Sequence, residues 1–377
     1  MTSADTVPCT QVAAFVDNPG PNAHFVIRDG VAVPEVEADQ LMVKLDVAGL
    51  CHSDLNRLYG HTPLIEEILG HEGVGYVVKV GSDVPGDLLN QRVGLGWLSE
   101  ACQNCEICDV DYTVCPKQKN LGRNISGCFQ QYVTANAAFV HRLPDELDDT
   151  VAAPLLCGKM KHPLPYPRLD PSLKTDMVSS PRFTAGITMF SAVRKANLKP
   201  GDWLLLPGAG GGLGHLGVQI AKAQGYRVIA VDTGEDKRAA CMRFGATHFL
   251  DFKTDNVTAE VHRLTNNLGA NAVICTASSL LAYKQAAECV RNAGTIVCIG
   301  INPGDLPISP FELVRRGLRL IGSAVGSRAQ MQDLFKLAVE GNVCPLVEEI
   351  SFDQIDAAAR RINDGQVTGR IVMRLPN

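Results

Sequence analysis

The second half of the chain alternates short apolar runs with stretches of helical length. The apolar runs predict strands at residues 203–207, 226–231, 272–275, 295–299 and 318–321. The stretches between them predict helices at residues 213–224, 237–244, 257–268 and 280–291. Strands and helices in alternation predict an α/β fold with a doubly wound parallel sheet.

The first part of the chain follows a different pattern. Over residues 1 to about 150, short alternating strands such as 42–47 and 75–80 are interrupted by glycine and proline, which is typical of a β-rich, barrel-like domain. A chain of 377 residues is too long for one compact core. We therefore predict two domains of unlike class.

Charge and composition narrow the classes of partner. Lys and Arg total 35 against 40 Asp and Glu, and the formal net charge is −5 without a run of like charges. This balance argues against a nucleic-acid or membrane partner and favours small molecules. The N-terminus lacks the basic start and apolar core of an export signal, and no apolar run is long enough to span a bilayer. We expect a soluble, cytosolic protein.

The chain has 13 cysteines. In a reducing cytosol such thiols hold metals or are buried as small apolar side chains, which we expect of Cys241, Cys275, Cys289 and Cys298. Four others are spaced closely enough to close around one zinc ion, namely Cys102, Cys105, Cys108 and Cys115. Such a closed site is structural, because it fixes a loop that has little core of its own. The alternative is four unrelated reduced thiols.

A glycine-rich turn lies between the predicted strand 203–207 and the helix that follows it. Its residues are Gly208, Gly210, Gly211, Gly212, Leu213 and Gly214, with Ala209 where a first glycine is usual. Glycine lets the backbone approach a dinucleotide pyrophosphate, and the helix N-terminus supplies N–H donors. Asp232 ends the next strand, where a carboxylate binds the ribose of NAD(H) and repels the 2′-phosphate of NADP(H). The alternative is an ordinary glycine-rich turn.

Two short motifs supply a second set of metal donors. Cys51 opens the segment Cys-His-Ser-Asp, and His71 lies in the segment Gly-His-Glu-Gly. A thiolate and an imidazole suit zinc, and a site with three protein ligands keeps a position open for catalysis. Asp54 can orient the imidazole, and Glu72 lies beside it. The alternative is a core thiol and a buried core histidine.

Taken together, these motifs resemble those of the zinc-containing alcohol dehydrogenases of the medium-chain dehydrogenase/reductase superfamily, and the fungal, yeast-type enzymes in particular. The resemblance also rests on segments 129–132, 153–157, 322–328 and 369–370, so it covers nearly the whole chain. It implies a GroES-like catalytic domain at 1–157 with a zinc lobe at 102–115, a Rossmann domain at 185–325, and a return to the catalytic domain at 326–377. It also implies a homo-oligomer, either a dimer or a tetramer.

The resemblance assigns roles to individual residues. It makes Cys51, His71 and Cys157 the ligands of a catalytic zinc, with Glu72 able to exchange onto the metal, and it places a second, structural zinc in the four-cysteine lobe. Ser53, His52 and Glu72 are the implied catalytic residues, and Ser53 begins the deprotonation of the substrate hydroxyl. The implied cofactor contacts are His52, Gly208, Gly210, Gly211, Gly212, Leu213, Gly214, Asp232, Lys237 and Arg370. The implied reaction passes a hydride between NAD(H) and an alcohol or carbonyl compound.

The chain departs from the yeast-type pattern at the substrate pocket. Asn56 stands where that family has the histidine of a proton relay, and asparagine cannot exchange a proton near neutral pH. Leu58 and Thr62 replace tryptophans of the pocket wall, whereas Trp97 is retained. Smaller walls predict a substrate bulkier than ethanol, and together with the fungal resemblance they suggest a role in secondary metabolism.

A proline-rich segment at 158–184 interrupts the resemblance directly after Cys157. Five prolines without helical or strand periodicity predict an irregular insertion. Our hypothesis is that this segment is translated intron, because Gly158-Lys159 can be encoded by a splice-donor sequence; the alternative is a surface loop.

Three other functions remain open at this stage. The chain could be a catalytically impaired protein that binds nucleotide and zinc, an NADPH-dependent reductase, or a zinc-independent quinone reductase of the same superfamily. Cys51, His71 and the four-cysteine lobe argue against the last of these.

Overall fold

The computed structural model describes residues 7–156, 186–277, 279–300 and 304–376. Its strands, in chain order, are β1 (Thr10–Asp17), β2 (His24–Ala32), β3 (Gln40–Leu50), β4 (Gly73–Val80), β5 (Arg92–Leu95), β6 (Leu98–Glu100), β7 (Lys119–Asn120), β8 (Tyr132–Asn136), β9 (His141–Arg142), β10 (Trp203–Pro207), β11 (Arg227–Asp232), β12 (His248–Asp251), β13 (Ala270–Cys275), β14 (Val290–Cys298), β15 (Arg319–Gly322), β16 (Val347–Ser351) and β17 (Arg370–Arg374).

The α-helices, in chain order, are α1 (His52–Leu58), α2 (Glu106–Asp111), α3 (Asp149–Leu155), α4 (Gly186–Ala196), α5 (Gly214–Ala223), α6 (Glu235–Arg243), α7 (Val257–Leu264), α8 (Leu280–Cys289), α9 (Pro310–Arg316), α10 (Arg328–Val339) and α11 (Ile355–Asn363). Short 3₁₀ helices cover Gly86–Leu88, Tyr112–Val114, Ala137–Phe139 and Phe352–Gln354.

The first sheet is mainly antiparallel. Its strands lie in the order β16-β17-β3-β4-β5-β9, and β8 pairs with β3 beside this path. Strands β1 and β2 form a separate antiparallel pair, as do β6 and β7. Because β16 and β17 come from the end of the chain, its last part returns to the sheet built by the first part.

The second sheet is parallel throughout, with the order β12-β11-β10-β13-β14-β15. The order reverses at β10, and a parallel sheet binds ligands at the carboxyl ends of its strands beside such a reversal. Successive residues of β10 face opposite sides: Leu204 and Leu206 belong to one core cluster and Leu205 to the other. Helices therefore cover both faces, as the continuous apolar runs require.

The predicted α/β fold, with a parallel doubly wound sheet beside a β-rich domain, is confirmed. The predicted strand 203–207 has the same bounds as β10, and the predicted strands 226–231, 272–275 and 318–321 agree within two residues with β11, β13 and β15. The predicted strand 295–299 covers only the end of β14, which begins at Val290, and β12 was not predicted. The predicted helix 257–268 ends at Leu264, because Asn266 and Asn267 adopt positive φ values before Gly269.

One hydrophobic cluster joins the two sheets. It contains Val47 and Val372 of the first sheet, Leu155 of α3, and Leu204 and Leu206 of β10. A shared core of this kind holds the active-site segments of the first domain in a fixed position relative to the parallel sheet.

Candidate active site

The four cysteines of the predicted structural zinc site come together. Their sulfur atoms all lie within 4.8 Å of one another, and three of the pairs are separated by 3.5 Å (Cys102–Cys115), 3.6 Å (Cys105–Cys108) and 3.8 Å (Cys102–Cys108). Zinc–sulfur bonds of about 2.3 Å in a tetrahedron put the sulfur atoms about 3.8 Å apart. The four thiols therefore fit one zinc ion.

A second donor group lies where the first domain meets the parallel sheet. The Sγ atom of Cys51, a ring nitrogen of His71 and a carboxylate oxygen of Glu72 lie within 4.8 Å of one another, and all three residues are fully buried. Cys51 precedes α1, and its Sγ atom accepts a hydrogen bond from the Ser53 N–H at 3.3 Å. His71 and Glu72 directly precede β4. One soft and one borderline donor beside a carboxylate fit zinc.

Asp54 contacts the imidazole of His71, as the sequence predicts. Its Oδ1 atom lies 3.0 Å from Nδ1 of His71 and accepts from the Gly70 N–H at 3.3 Å, while Oδ2 accepts from the Cys51 N–H at 3.2 Å. Burial alone lowers the pKa of His71, but the charge and hydrogen bond of Asp54 outweigh it and raise that pKa to about 10. The negative field that favours a proton on this ring also favours a cation at Nε2.

Glu72 forms a buried ion pair with Arg370, which begins β17. Burial raises the pKa of Glu72, and the charge of Arg370 opposes that rise. The second carboxylate oxygen, Oε2, is buried and has no hydrogen-bond partner among the residues that the structure describes. Gly49 makes room for this carboxylate, because a Cβ atom there would lie 2.9 Å from Cδ of Glu72. A buried oxygen without a partner beside a thiol and an imidazole is what a metal ligand requires.

Ser53 bridges the two metal donors. Its Oγ atom lies 2.9 Å from Sγ of Cys51 and 3.3 Å from Nε2 of His71. His52 and Asn56 are also buried on α1. The structure therefore brings Ser53, His71 and the thiol of Cys51 within hydrogen-bond distance of one another through the serine hydroxyl.

The glycine-rich turn has the close packing that a dinucleotide site needs. A Cβ atom at Gly214 would lie 2.6 Å from the carbonyl carbon of Ala209, so the start of α5 touches the turn. A Cβ atom at Gly212 would lie 3.3 Å from Cδ of Arg370, and one at Gly210 would lie 2.7 Å from Cβ of Lys237. Arg370 and Lys237, two of the predicted cofactor contacts, therefore lie along the turn.

Asp232 ends β11 beside this turn. Its Oδ2 atom accepts from the Gly210 N–H at 2.9 Å, and its Oδ1 atom receives Lys237 Nζ at 2.7 Å. The turn and this carboxylate line a cleft of about 220 Å³ that extends over Phe252 and Thr276.

The three predicted pocket residues lie on two segments, with Leu58 and Thr62 at and after the end of α1 and Trp97 in the loop after β5. Trp97 packs edge-on against His71 with ring centroids 5.2 Å apart, and it lines a narrow cleft with Leu156 and Val325. Leu58 is fully buried in the core of the first domain, and Thr62 lies half-buried after α1. Trp97 therefore contacts a proposed metal donor directly.

Cys157, the predicted third ligand, and the segment 158–184 lie outside the described residues. The preceding residue, Leu156, is 1 % exposed, and a Cβ atom at Gly96 would lie 3.1 Å from its carbonyl oxygen. The chain is therefore next to Trp97 when it leaves the described range.

One residue beside these donors was missed by the sequence reasoning. Arg57 places its guanidinium 4.8 Å from the centre of the Trp97 ring and bonds the Ser53 carbonyl oxygen at 3.3 Å. The sequence reasoning predicted no helix at this position, and the spacing of four residues puts Arg57 and Ser53 on one face only because residues 52–58 form α1.

Comparisons with known proteins agree with this geometry. The family model for the alcohol dehydrogenase GroES-like domain matches residues 37–145, and that for the zinc-binding dehydrogenase domain matches residues 212–340. An alcohol dehydrogenase from Schizosaccharomyces pombe is 35% identical over 377 residues, which cover 98% of this chain and 99% of that protein. An alcohol dehydrogenase from Geobacillus stearothermophilus is 34% identical and covers 91% of this chain and 93% of its own length.

Solved structures have the same overall fold. An alcohol dehydrogenase from Aeropyrum pernix superposes with a TM-score of 0.80 at 27% identity, covering 97% of this chain and 99% of that one. An acetophenone reductase from Geotrichum candidum, solved in complex with NAD, has a TM-score of 0.80 at 25% identity and covers 98% of both chains. No helix among the described residues is long and apolar enough to cross a membrane. The chain belongs to the zinc-type alcohol dehydrogenases of the medium-chain dehydrogenase/reductase superfamily.

Proposed function

We propose that this chain is a zinc-dependent oxidoreductase that passes a hydride between NAD(H) and an alcohol or its aldehyde or ketone. One observation carries the proposal: Arg370 pairs with Glu72 of the metal-donor group and lies along Gly212 of the glycine-rich turn. The metal donors and the nucleotide turn therefore meet at one side chain, as hydride transfer between a metal-bound substrate and a nicotinamide requires.

The proposed catalytic zinc ligands are Cys51, His71 and Cys157, with Glu72 close enough to replace one of them. The position of Leu156 beside Gly96 supports the third ligand, because it brings the end of the described range next to Trp97, which packs against His71. Zinc supplies a Lewis acid when it is bound there. The four-cysteine lobe is the proposed site of the second, structural zinc.

Ser53 is the proposed acceptor of the substrate proton. Its hydroxyl lies beside both the Cys51 sulfur and His71 Nε2. It would therefore be within one hydrogen bond of the hydroxyl of a substrate held by a zinc ion on these donors. Asp54 fixes the ring of His71 by holding Nδ1, which leaves Nε2 for the metal. Asn56 cannot pass the proton on, so in this proposal the proton leaves Ser53 by a route other than the relay of the yeast-type enzymes.

NAD(H) is the proposed cofactor in preference to NADP(H). The carboxylate of Asp232 lies at the end of β11 next to the turn, where it repels a 2′-phosphate. The presence of NAD in the structure of the acetophenone reductase supports this assignment. Lys237, which pairs with Asp232, is the proposed cation at the ribose.

The proposed substrate is bulkier than ethanol, because Thr62 offers a smaller wall than the tryptophan of the yeast-type enzymes. A role in fungal secondary metabolism and a cytosolic location stay predictions. We also expect a homo-oligomer, since β15 is an edge of the parallel sheet and the neighbouring helix α9 exposes Phe311 and Val314 at 69% and 83%.

NADH-linked turnover tests the proposal. We expect the zinc-loaded chain to oxidise NADH with aromatic aldehydes faster than with acetaldehyde, and to prefer NADH to NADPH. The His71→Ala variant should lose this turnover. Faster turnover of acetaldehyde would contradict the bulky pocket, and retained turnover in His71→Ala would contradict the metal site. A chain that binds NADH and zinc but turns over none of these carbonyl compounds would instead support the catalytically impaired protein.

A further inference from the structure

A buried arginine beside the metal donors forms no ion pair with any residue that the structure describes. Arg57 is 5% exposed, and its one hydrogen bond runs from Nη1 to the Ser53 carbonyl oxygen at 3.3 Å. Within the described ranges, no carboxylate oxygen lies within 4.0 Å of its guanidinium. The nearby carboxylate of Asp54 is already bonded to His71, Gly70 and Cys51. An arginine offers five N–H donors, so most of those of Arg57 have no acceptor among the described residues.

The charges of an acid, Asp54, and of a second cation, Arg123, both act on this arginine. The pKa of Arg57 is lowered, first because burial removes water from the guanidinium, and also because Arg123 repels it, while Asp54 opposes both effects. Arg123 is half-buried, and its single side-chain hydrogen bond goes to Asn120 at 3.2 Å. Two guanidinium groups near each other, with one sealed from water, cost free energy unless an anion joins them.

Trp97 connects these cations to the reaction centre. Its ring lies under the guanidinium of Arg57 at 4.8 Å and against the imidazole of His71 at 5.2 Å. Its indole Nε1 is buried and has no hydrogen-bond partner among the described residues. A buried indole donor without an acceptor in the described ranges therefore lies on a ring that contacts both Arg57 and His71.

We propose that Arg57 and Arg123 bind a carboxylate carried by the substrate, so that the enzyme acts on a hydroxy acid or an oxo acid rather than on a neutral alcohol. The inference rests on the proposed function and specifies its substrate class. The planar guanidinium fork matches a carboxylate in two parallel hydrogen bonds, and stacking on Trp97 fixes the plane of that fork. The cofactor pyrophosphate is not the anion in question, since Arg370 is the cation that lies along the glycine-rich turn.

Two substrate pairs test the inference with the zinc-loaded full chain and NADH. They are 4-formylbenzoate with its methyl ester, and 4-oxobutanoate with its methyl ester; each pair has the same reacting carbonyl and differs in charge. We expect kcat/KM for the acid to exceed that for the ester by about tenfold or more, the worth of one hydrogen bond to a charged group. In each variant, the measured quantity is the ratio of kcat/KM for the acid to kcat/KM for the ester.

Three variants locate the effect. In Arg57→Leu the ratio should fall by about tenfold, mostly through KM of the acid, and in Arg57→Lys it should be intermediate, because lysine keeps the charge without the fork. Arg123→Leu should lower it less, since that side chain is only half-buried. Arg227→Leu is the matched control: Arg227 also stacks on a tryptophan, 4.3 Å from the ring centre of Trp203, at the opposite end of the parallel sheet. It should keep the wild-type ratio.

The possible results distinguish a failure of the carboxylate inference from a failure of the proposed function. Equal kcat/KM for acid and ester in the wild type, with both turned over, overturns the carboxylate inference and leaves the proposed function standing. An acid preference that persists in Arg57→Leu overturns the role of Arg57. If neither member of either pair is reduced while zinc and NADH are bound, the proposed function fails and this inference fails with it. The wild-type ratio decides the matter even if Arg57→Leu does not fold.

Discussion

Replacing Gly214 by alanine should displace the nucleotide-binding turn. The added Cβ atom would lie 2.6 Å from the carbonyl carbon of Ala209, with two other backbone atoms of the turn closer still. Ordinary van der Waals contact begins at 3.4 Å, and backbone atoms cannot move aside as a flexible side chain can. Helix α5 must therefore shift away from β10, and overpacking of this kind costs about 1–3 kcal/mol.

Gly211→Ala is the matched control within the same turn. A Cβ atom there meets only the Gly208 carbonyl oxygen, at 3.4 Å, so the substitution should change stability by less than about 1 kcal/mol. For Gly214→Ala we expect the thermal midpoint to fall by roughly 2–12 °C. The affinity for NADH should fall at least about tenfold, because the N–H groups that would face the pyrophosphate move with the helix.

Thermal unfolding and NADH fluorescence titration of the two variants measure these effects. If both variants lost the same stability, the loss could not be due to the contact with Ala209, because only the Gly214 variant makes that contact. A wild-type midpoint and wild-type NADH affinity in Gly214→Ala would refute the packing argument.

Three further predictions concern metal, cofactor and pH. Cys108→Ser should lower the zinc content from about two ions per chain to about one, measured by elemental analysis, and a content that stays at two would contradict the lobe assignment. Asp232→Ser should raise the ratio of NADPH to NADH kcat/KM by at least about tenfold, because the charge that repels a 2′-phosphate is gone; an unchanged ratio would contradict that role. Burial lowers the pKa of His215 to about 4, and the Leu346 N–H donates to its Nε2 at 3.2 Å, so the folded chain holds the ring neutral. As the pH falls, the His215 ring therefore takes up a proton in the unfolded chain before it does so in the folded chain. The contribution of His215 to the free energy of unfolding should be complete above pH 6.5 and fall by up to about 3 kcal/mol as the pH drops from 6.5 towards 4. In His215→Gln the free energy of unfolding should depend less steeply on pH over this range. Urea unfolding at several pH values measures it, and equal slopes in the two proteins would contradict it.

The parallel sheet was predictable because its strands are buried on both faces. The run Leu204-Leu205-Leu206 is apolar at every position, so the sequence itself marks where this strand begins and ends. The strand β14 was harder, since it begins with Val290 and then crosses polar residues and Ala293 at a φ of 57° before the apolar run resumes. Strand β12 was not predicted, because only Phe249 and Leu250 of its four residues are apolar.

Within the donor group of Cys51, His71 and Glu72, the contact of Asp54 with His71 was predictable from local spacing. The contact of Glu72 with Arg370 was not. Asp54 lies on the helix that follows Cys51, so its reach to His71 agrees with the expected orienting role. The pairing of Glu72 with Arg370 joins residues 298 positions apart and depends on β17 returning to the first sheet. No pattern of neighbouring residues in the sequence predicts a contact between residues so far apart along the chain. The position of Arg57 over Trp97 likewise depends on how α1 packs on the loop after β5.

The central claim is that Cys51 and His71 hold a catalytic zinc distinct from the zinc of the four-cysteine lobe. Elemental analysis of the purified wild type and of Cys51→Ser, with NADH-linked turnover measured on the same samples, tests it most directly. The account predicts about two zinc ions per chain in the wild type, and about one in Cys51→Ser with turnover lost. One zinc ion in both proteins, with equal turnover, would contradict it.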